Sequence, residues 1–289
     1  LSIVGGFEKG ARNHHPSKLF HGLDQQAFYR PFTRFFGSPR RIKEIPRVVE
    51  QAVSAMHGVR PGPAVIEIDP DLAAQPLPAN FEKLSRVLLP RKLPVNPLDL
   101  GKAIESIRGL TRPVVWIGSD CTAAGAVEQA RHLAELLGAP IIYGRRGKGV
   151  VPDEHPQVIG FTRSQRVAQV LAEADGLIML GARFTQIDTR NYELKLPPVV
   201  VQFDRDSREI GSDGPVTQGV SGDLVTALEA VVRELVRIGH LADPGWKSRA
   251  IQMHESWRAL PELPVLGEIR RALPPGGVIS VDVTSTGYN

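Results

Sequence analysis

The pattern of apolar positions predicts short buried strands that alternate with amphipathic helices. Four apolar runs in the middle of the chain are each followed by glycine or aspartate, and we predict strands at 113–117, 140–143, 176–180 and 199–203. Apolar residues at helical spacing predict helices at 123–137, 163–174 and 224–238. Strands that alternate with helices indicate an α/β fold built on a doubly wound parallel sheet.

The segments on either side of this central unit indicate two incomplete α/β domains. Apolar runs and helical spacing predict strands at 1–4 and 64–68, a helix at 45–57, a helix at 267–273 and a final strand at 278–281. Proline-rich, weakly periodic stretches separate the parts. We therefore predict a first domain at 1–78, a linker at 79–96, a central nucleotide-binding-like domain at 97–241, a second linker at 242–264 and the start of a third domain at 265–289.

The ends of the predicted strands are the candidate ligand-binding positions. Ligands of open parallel sheets bind beyond the carboxyl ends of the strands, so Gly118, Arg183 and Asp204 are expected to share one cleft. An arginine suits a phosphate, and an aspartate can accept hydrogen bonds from a ribose. Gly118 lacks Gly-x-Gly-x-x-Gly spacing, so a glycine needed only for a tight turn is the alternative. Asp223, a second candidate for the ribose, is also a natural N-cap for the helix that follows.

Composition narrows the classes of protein that fit. The 35 basic residues are interleaved with 31 acidic ones, which indicates a solvated surface and no nucleic acid partner. No apolar run approaches the roughly 20 residues of a membrane span. The chain has one cysteine, Cys121, and no signal-peptide pattern near its first residue. A cytoplasmic protein is therefore expected.

Three separated groups of motifs carry a family resemblance. They are Phe20-His-Gly-Leu-Asp24 with Arg60-Pro-Gly-Pro-Ala-Val-Ile-Glu-Ile68, then Gly147-Lys-Gly-Val-Val-Pro-Asp-Glu-His-Pro156 with Leu180-Gly-Ala-Arg-Phe184, and finally Val278-Ile-Ser-Val-Asp282. They resemble the thiamine diphosphate-dependent enzymes of the acetolactate synthase and 2-oxo acid decarboxylase group. In order, they are similar to the end of that family's pyrimidine-binding domain, its central domain and the entry to its diphosphate-binding domain.

The resemblance implies an enzyme that uses thiamine diphosphate and magnesium to act on a small-molecule 2-oxo acid, by decarboxylation with aldehyde release or by carboligation. It also implies a homodimer or homotetramer. The family's catalytic glutamate and its Gly-Asp-Gly magnesium motif are not found in these residues, so no metal ligand is assigned here. We expect the chain to be a fragment of a longer enzyme, inactive by itself.

The same resemblance implies roles for individual residues. His21 is the candidate catalytic residue, with a surface loop histidine as the alternative. Arg60 and Arg183 match arginines that reach the flavin in flavin-containing members; for Arg60 the alternative is an ion pair with a carboxylate such as Asp71. Three hydroxyl residues after the last predicted strand are expected beside the cofactor diphosphate: Thr284, Ser285 and Thr286.

The segment after His-Pro bears on which ligand the central domain holds. Flavin-containing synthases carry a longer glycine-rich segment there, whereas this chain has Gly160-Phe-Thr-Arg-Ser-Gln165. Gly160 and Thr162 are the cofactor-binding candidates within it. Because glycine lets backbone approach a phosphate closely, the loss of glycines favours ADP over FAD. Two alternatives remain: a non-catalytic module at 97–241 that binds ADP or a dinucleotide, and a structural domain without a ligand.

Overall fold

The computed structural model describes residues 1–279, except 9, 12, 21, 82–91, 241–242 and 259–263. The chain divides into two compact units, Leu1–Lys92 and Leu93–Asn289. Within the described residues, no helix combines the length and apolar character that crossing a membrane requires. The finer domain boundaries proposed from the sequence stay a prediction.

The first unit contains a three-stranded parallel sheet. Its strands are β1 (Ser2–Gly5), β2 (Phe35–Gly37) and β3 (Ala64–Ile68), in the order β1-β3-β2. Its helices are α1 (Gln25–Tyr29), α2 (Ile45–Met56) and α3 (Pro70–Ala73). Helix α2 packs against β2 and β3, and Ala52 is buried with Ala64 and Ile66. The predicted strands at 1–4 and 64–68 and the helix at 45–57 are confirmed, whereas β2 was not predicted.

The second unit contains a six-stranded sheet in which every described pair is parallel. Its strands are β4 (Pro113–Ile117), β5 (Ile141–Tyr143), β6 (Val158–Phe161), β7 (Gly176–Leu180), β8 (Val199–Asp204) and β9 (Gln218–Ser221). Their order is β6-β5-β4-β7-β8-β9, so the chain builds outward from β4 in one direction and from β7 in the other. This is the predicted doubly wound topology, with its switch point between β4 and β7.

The helices of this unit are α4 (Pro97–Arg108), α5 (Ser119–Ala124), α6 (Val127–Leu136), α7 (Gln165–Glu173), α8 (Leu224–Arg237), α9 (Pro244–Arg258) and α10 (Pro264–Ala272). The single helix predicted at 123–137 is instead divided into α5 and α6. The reason is Gly125, which has a φ of 68° and ends α5 with a left-handed cap. The predicted helices at 163–174, 224–238 and 267–273 correspond to α7, α8 and α10.

Helices cover both faces of the six-stranded sheet. Alternate residues of a strand point to opposite faces, so Val115 and Ile117 contribute to one core with α4, α6 and α8. Val114 and Trp116 contribute to the other, with α7 and α9. Because both faces are buried, solvent and ligands meet the sheet at its strand ends.

Helix α9 lies in the stretch that was predicted to be a linker, 242–264. It packs against β6, and Trp246 donates a hydrogen bond from Nε1 to the Pro113 carbonyl oxygen at 2.8 Å. Nδ1 of His254 lies 2.8 Å from the Val158 carbonyl oxygen. The helix therefore belongs to the folded second unit. At the end of the chain, Val278 and Ile279 are not in a strand, and the rest of the strand predicted at 278–281 lies outside the described residues.

The turns that follow β4 and β7 pack backbone against backbone. A Cβ at Gly118 would lie 2.0 Å from the Gly181 carbonyl oxygen, and a Cβ at Gly147 would lie 2.5 Å from the Ile117 carbonyl oxygen. Gly181 also has a φ of 56°, which favours glycine. Close packing is by itself a sufficient reason for glycine at Gly118, and its role in cofactor binding stays a prediction.

We expect Trp246→Ala to destabilise the second unit, because it removes a side chain that is 4% exposed and leaves the Pro113 carbonyl without its donor. Truncation of a buried tryptophan costs about 3–5 kcal/mol. Differential scanning calorimetry should show a fall in Tm of about 10 °C, at roughly 2–4 °C per kcal/mol. Lys247→Ala, on the exposed side of the same helix, is the control and should shift Tm by about 2 °C or less. Equal melting of the two variants would show that α9 does not support the unit.

We expect Gly118→Ala to destabilise the chain, since its Cβ would meet backbone that cannot rotate away. Overpacking costs about 1–3 kcal/mol or more. Gly101→Ala is the matched control, because Gly101 lies in α4 with nothing within 4 Å of its added Cβ. Alanine in a helix interior is about 1 kcal/mol better than glycine, so this variant should melt at the same or a higher temperature. Chemical denaturation measures both, and a neutral Gly118→Ala would contradict the packing argument.

Candidate functional site

A small cavity lies at the switch point of the six-stranded sheet. Its volume is about 60 Å³, and it is bounded by Trp116 of β4 and by residues that follow β4, β5 and β7. The lining residues are Trp116, Gly118, Ser119, Asp120, Gly144, Arg146, Gly147, Gly181, Ala182, Arg183, Thr185 and Asp188. This is the place where doubly wound sheets hold their ligands, so the cavity is the candidate site.

Arg183 is surrounded by three carboxylates. Its Nη2 lies 2.7 Å from Oδ2 of Asp120, and its Nε lies 3.6 Å from Oδ2 of Asp204 and 3.4 Å from Oε2 of Glu209. We call these four residues the Arg183 cluster. Its members come from the loop after β7, from α5, from the end of β8 and from the turn after β8. The cluster holds one formal positive charge against three potential negative charges.

Burial shapes the electrostatics of the Arg183 cluster. The Asp204 side chain has no solvent exposure, and burial raises its pKa from 3.8 to about 6. Its Oδ1 accepts a hydrogen bond from the Asp206 amide at 2.9 Å, which opposes the rise, as does the charge of Arg183. For Arg183, burial alone would lower the pKa, but the neighbouring carboxylates raise it above its ordinary value. Arg183 therefore stays charged, while Asp204 titrates near pH 6.

Two further polar side chains fix the loops around the cavity. Asp188 accepts hydrogen bonds from the Arg145 amide and from Oγ1 of Thr185, both at 2.8 Å. Gln202 is fully buried in β8; its Nε2 donates to the Ala182 and Glu209 carbonyl oxygens, and its Oε1 accepts from the Gly211 amide. These contacts tie the loop after β7 to β5 and to the turn after β8. The geometry of the Arg183 cluster is thus held by its surroundings.

The site does not fit a dinucleotide or ADP in this arrangement. Ligand cavities that enclose a drug-sized molecule measure about 300–1,000 Å³, whereas this one measures about 60 Å³. The guanidinium that would meet a phosphate already faces carboxylates, and those carboxylates would repel one. Cys121 does not line this cavity, and burial raises the pKa of its thiol to about 12, so this thiol is not an activated nucleophile.

The structure brings together some of the residues predicted from the sequence and separates others. Gly118 and Arg183 line the same cavity, and Asp204 lies behind Arg183. Gly160 lies in β6 with a φ of 123°, and Thr162 follows that strand; neither lines the cavity. Asp223 caps α8, accepting a hydrogen bond from the Thr226 amide at 2.9 Å. Cofactor roles for Gly160, Thr162 and Asp223 stay predictions.

The other candidates belong to the first unit or fall outside the described residues. Arg60 is in the first unit, in the loop between α2 and β3. The remaining four fall outside the part of the chain that the structure describes: His21, Thr284, Ser285 and Thr286. In the described part, no group of three or more His, Cys, Asp or Glu side chains is placed to hold a metal ion.

Asp120, Asp188 and Glu209 were not singled out from the sequence, although they shape the site. Asp120 had one usable signal, since it follows Gly118 by two residues at a predicted strand end. Glu209 lies five residues beyond the end of β8, and Asp188 lies eight residues beyond the end of β7. Their contribution depends on loop paths that local sequence patterns do not specify.

Comparison with known proteins identifies the central unit. Residues 100–231 match the family model described as thiamine pyrophosphate enzyme, central domain. These residues run from α4 into α8 and include all six strands of the second sheet. The matched segment thus contains the whole Arg183 cluster.

Curated relatives extend the similarity beyond this domain. The chain is 28% identical to 2-hydroxyacyl-CoA lyase 1 of Homo sapiens, covering 91% of this chain and 46% of that protein. It is 26% identical to a probable acetolactate synthase large subunit of Methanocaldococcus jannaschii, covering 82% and 42%. It is also 26% identical to the probable 2-ketoarginine decarboxylase AruI of Pseudomonas aeruginosa, covering 93% and 49%. The chain spans less than half the length of these relatives, and the matches together support a thiamine pyrophosphate-dependent enzyme family that includes acetolactate synthase.

Proposed function

We propose that this chain is part of a thiamine diphosphate-dependent enzyme that cleaves a 2-oxo acid next to its carbonyl group. The enzyme then either releases an aldehyde or passes the acyl unit to a second carbonyl compound. The observation that carries the proposal is the match of residues 100–231 to the central domain, together with relatives named as synthase, lyase and decarboxylase. In such enzymes the cofactor supplies the carbanion chemistry and the protein orients the reactants.

The described residues do not themselves fit the magnesium and diphosphate of this cofactor. They contain no cluster of metal-ligating side chains, and Gly-Asp-Gly occurs nowhere in the 289 residues. We therefore propose that the groups which hold the cofactor belong to other parts of the enzyme. A homodimer or homotetramer is proposed with it, because the family places its cofactor between two subunits.

The geometry does not favour the second candidate, a free-standing ADP- or dinucleotide-binding module. Such a module needs an open cleft with an available cation, and here the cavity is small and Arg183 is paired with Asp120. The thiamine diphosphate-dependent enzyme is therefore the function we adopt.

The proposal is tested with the protein expressed from its complete reading frame. Carbon dioxide release from pyruvate and glyoxylate should depend on both thiamine diphosphate and magnesium. The products, analysed by mass spectrometry, distinguish a free aldehyde from a carboligation product. Cofactor-independent release, or no reaction with a panel of 2-oxo acids and 2-hydroxyacyl-CoA thioesters, would contradict the proposal.

We expect the 289-residue chain alone to show no saturable, magnesium-dependent binding of thiamine diphosphate. The reason is the lack of the Gly-Asp-Gly motif that the resemblance requires for the metal. Isothermal titration calorimetry at micromolar cofactor measures this directly, and the protein from the complete reading frame is the positive control. Saturable heat from the short chain would show that it contains the binding groups after all.

A further inference from the structure

The Arg183 cluster resembles an anion-binding site in which a carboxylate of the protein occupies the place of the anion. In the usual arrangement at a switch point, backbone amides and a cation face an anionic ligand. Here the cation faces inward, and Asp120 takes the hydrogen bond at 2.7 Å that a phosphate oxygen would otherwise accept. The Asp120 side chain is 19% exposed and that of Arg183 is 24% exposed, so this pair lies largely out of water.

We infer that the strand-edge cavity of this chain is closed by its own side chains, with Arg183 acting as the internal counter-ion of the cluster and not as a ligand for the diphosphate of ADP or FAD. This inference concerns the central unit alone. It does not depend on where thiamine diphosphate binds or on which substrate the enzyme uses.

The charges of the Arg183 cluster disfavour a bound phosphate. An arginine that binds phosphate must turn its guanidinium toward the ligand, but here the guanidinium is surrounded by carboxylates on three sides. Moving it would leave Asp204 buried without its counter-charge, and breaking a buried pair costs about 3–5 kcal/mol. A diphosphate would add negative charge to a site that already has an excess of it.

The surrounding contacts hold the Arg183 cluster in this closed arrangement. Asp188 joins the loop after β7 to the Arg145 amide, and Gln202 joins the same loop to the turn that carries Glu209. Oδ2 of Asp204 and Nε of Arg183 are both buried and form no hydrogen bond within the described residues. The two atoms lie 3.6 Å apart, and Oε2 of Glu209 lies 3.4 Å from the same Nε, so their charges compensate one another without a direct hydrogen bond.

The inference predicts a pH-dependent stability loss when the counter-ion is removed. The titratable groups around Asp204 are Arg183 after β7, Asp120 and Cys121 in α5, and Glu209 in the turn after β8. The pKa of Asp204 is raised on folding, so the folded state holds its proton at higher pH than the unfolded chain. Stability therefore falls as pH rises from about 4 to above 6. Loss of the arginine charge raises the folded pKa further and extends this fall to higher pH.

We expect Arg183→Met to lose little stability relative to wild type at pH 5 and much more at pH 8. The folded-to-unfolded ratio of the variant, divided by that of wild type, should fall at least tenfold between these pH values, measured by urea denaturation. Arg183→Met/Asp204→Asn should remove most of that pH dependence. Arg146→Met is the matched control, because Arg146 is exposed and lines the same cavity.

A ligand titration completes the test. ADP and FAD should give no saturable heat with the wild-type chain up to about 1 mM, a Kd equivalent to about 4 kcal/mol of binding. Saturable ADP binding that Arg183→Met abolishes would overturn the inference, as would a stability loss for that variant that is the same at pH 5 and pH 8. If Arg183→Met does not fold, Asp204→Asn alone decides: it should gain stability over wild type as pH rises from 4 to 8, and no gain would contradict the inference.

Discussion

The stability of the second unit depends on how charged side chains are accommodated at the strand ends of a sheet whose two faces are both buried. Helices cover the two faces, so the polar ends of the strands meet at the switch point between β4 and β7. There the fold places Asp120 and Glu209 around the end of β8, where Asp204 is already inaccessible to solvent. Without a cation at this point the carboxylates would have to bind protons or expose themselves to water. Arg183 resolves this conflict.

The sequence predicted the sheet well because buried parallel strands form continuous apolar runs. The four strands with such runs, β4, β5, β7 and β8, were all found. The edge strands β6 and β9 were missed, since Val158–Phe161 and Gln218–Ser221 are short and contain glycine or polar residues. Helix α9 was missed for a related reason: its buried apolar residues are Trp246, Ala250 and Met253, which are separated by polar and charged neighbours. Tertiary contacts, not local pattern, stabilise these three elements.

The location of the candidate site could be predicted from the sequence, but the residues that surround Arg183 there could not. Strand ends of a doubly wound sheet must lie near one another, and Gly118, Arg183 and Asp204 do. The neighbours of Arg183 were not predictable, because Asp120 lies 63 residues away in sequence and Glu209 approaches only through the turn after β8. The local sequence around an arginine at a strand end does not show whether a phosphate or a carboxylate faces its guanidinium. Only the geometry distinguishes a ligand-binding arginine from a counter-ion.

A central domain with a closed cleft is compatible with an enzyme whose chemistry occurs elsewhere. The matched segment, residues 100–231, accounts for the sheet and most of its helices, and the polar contacts of Asp188 and Gln202 within it join strands and loops to one another. Gln202 illustrates this: its amide is fully buried and its described hydrogen bonds all go to backbone, so it is not accessible to a substrate. The internal counter-ion that we propose stabilises this unit without a bound nucleotide.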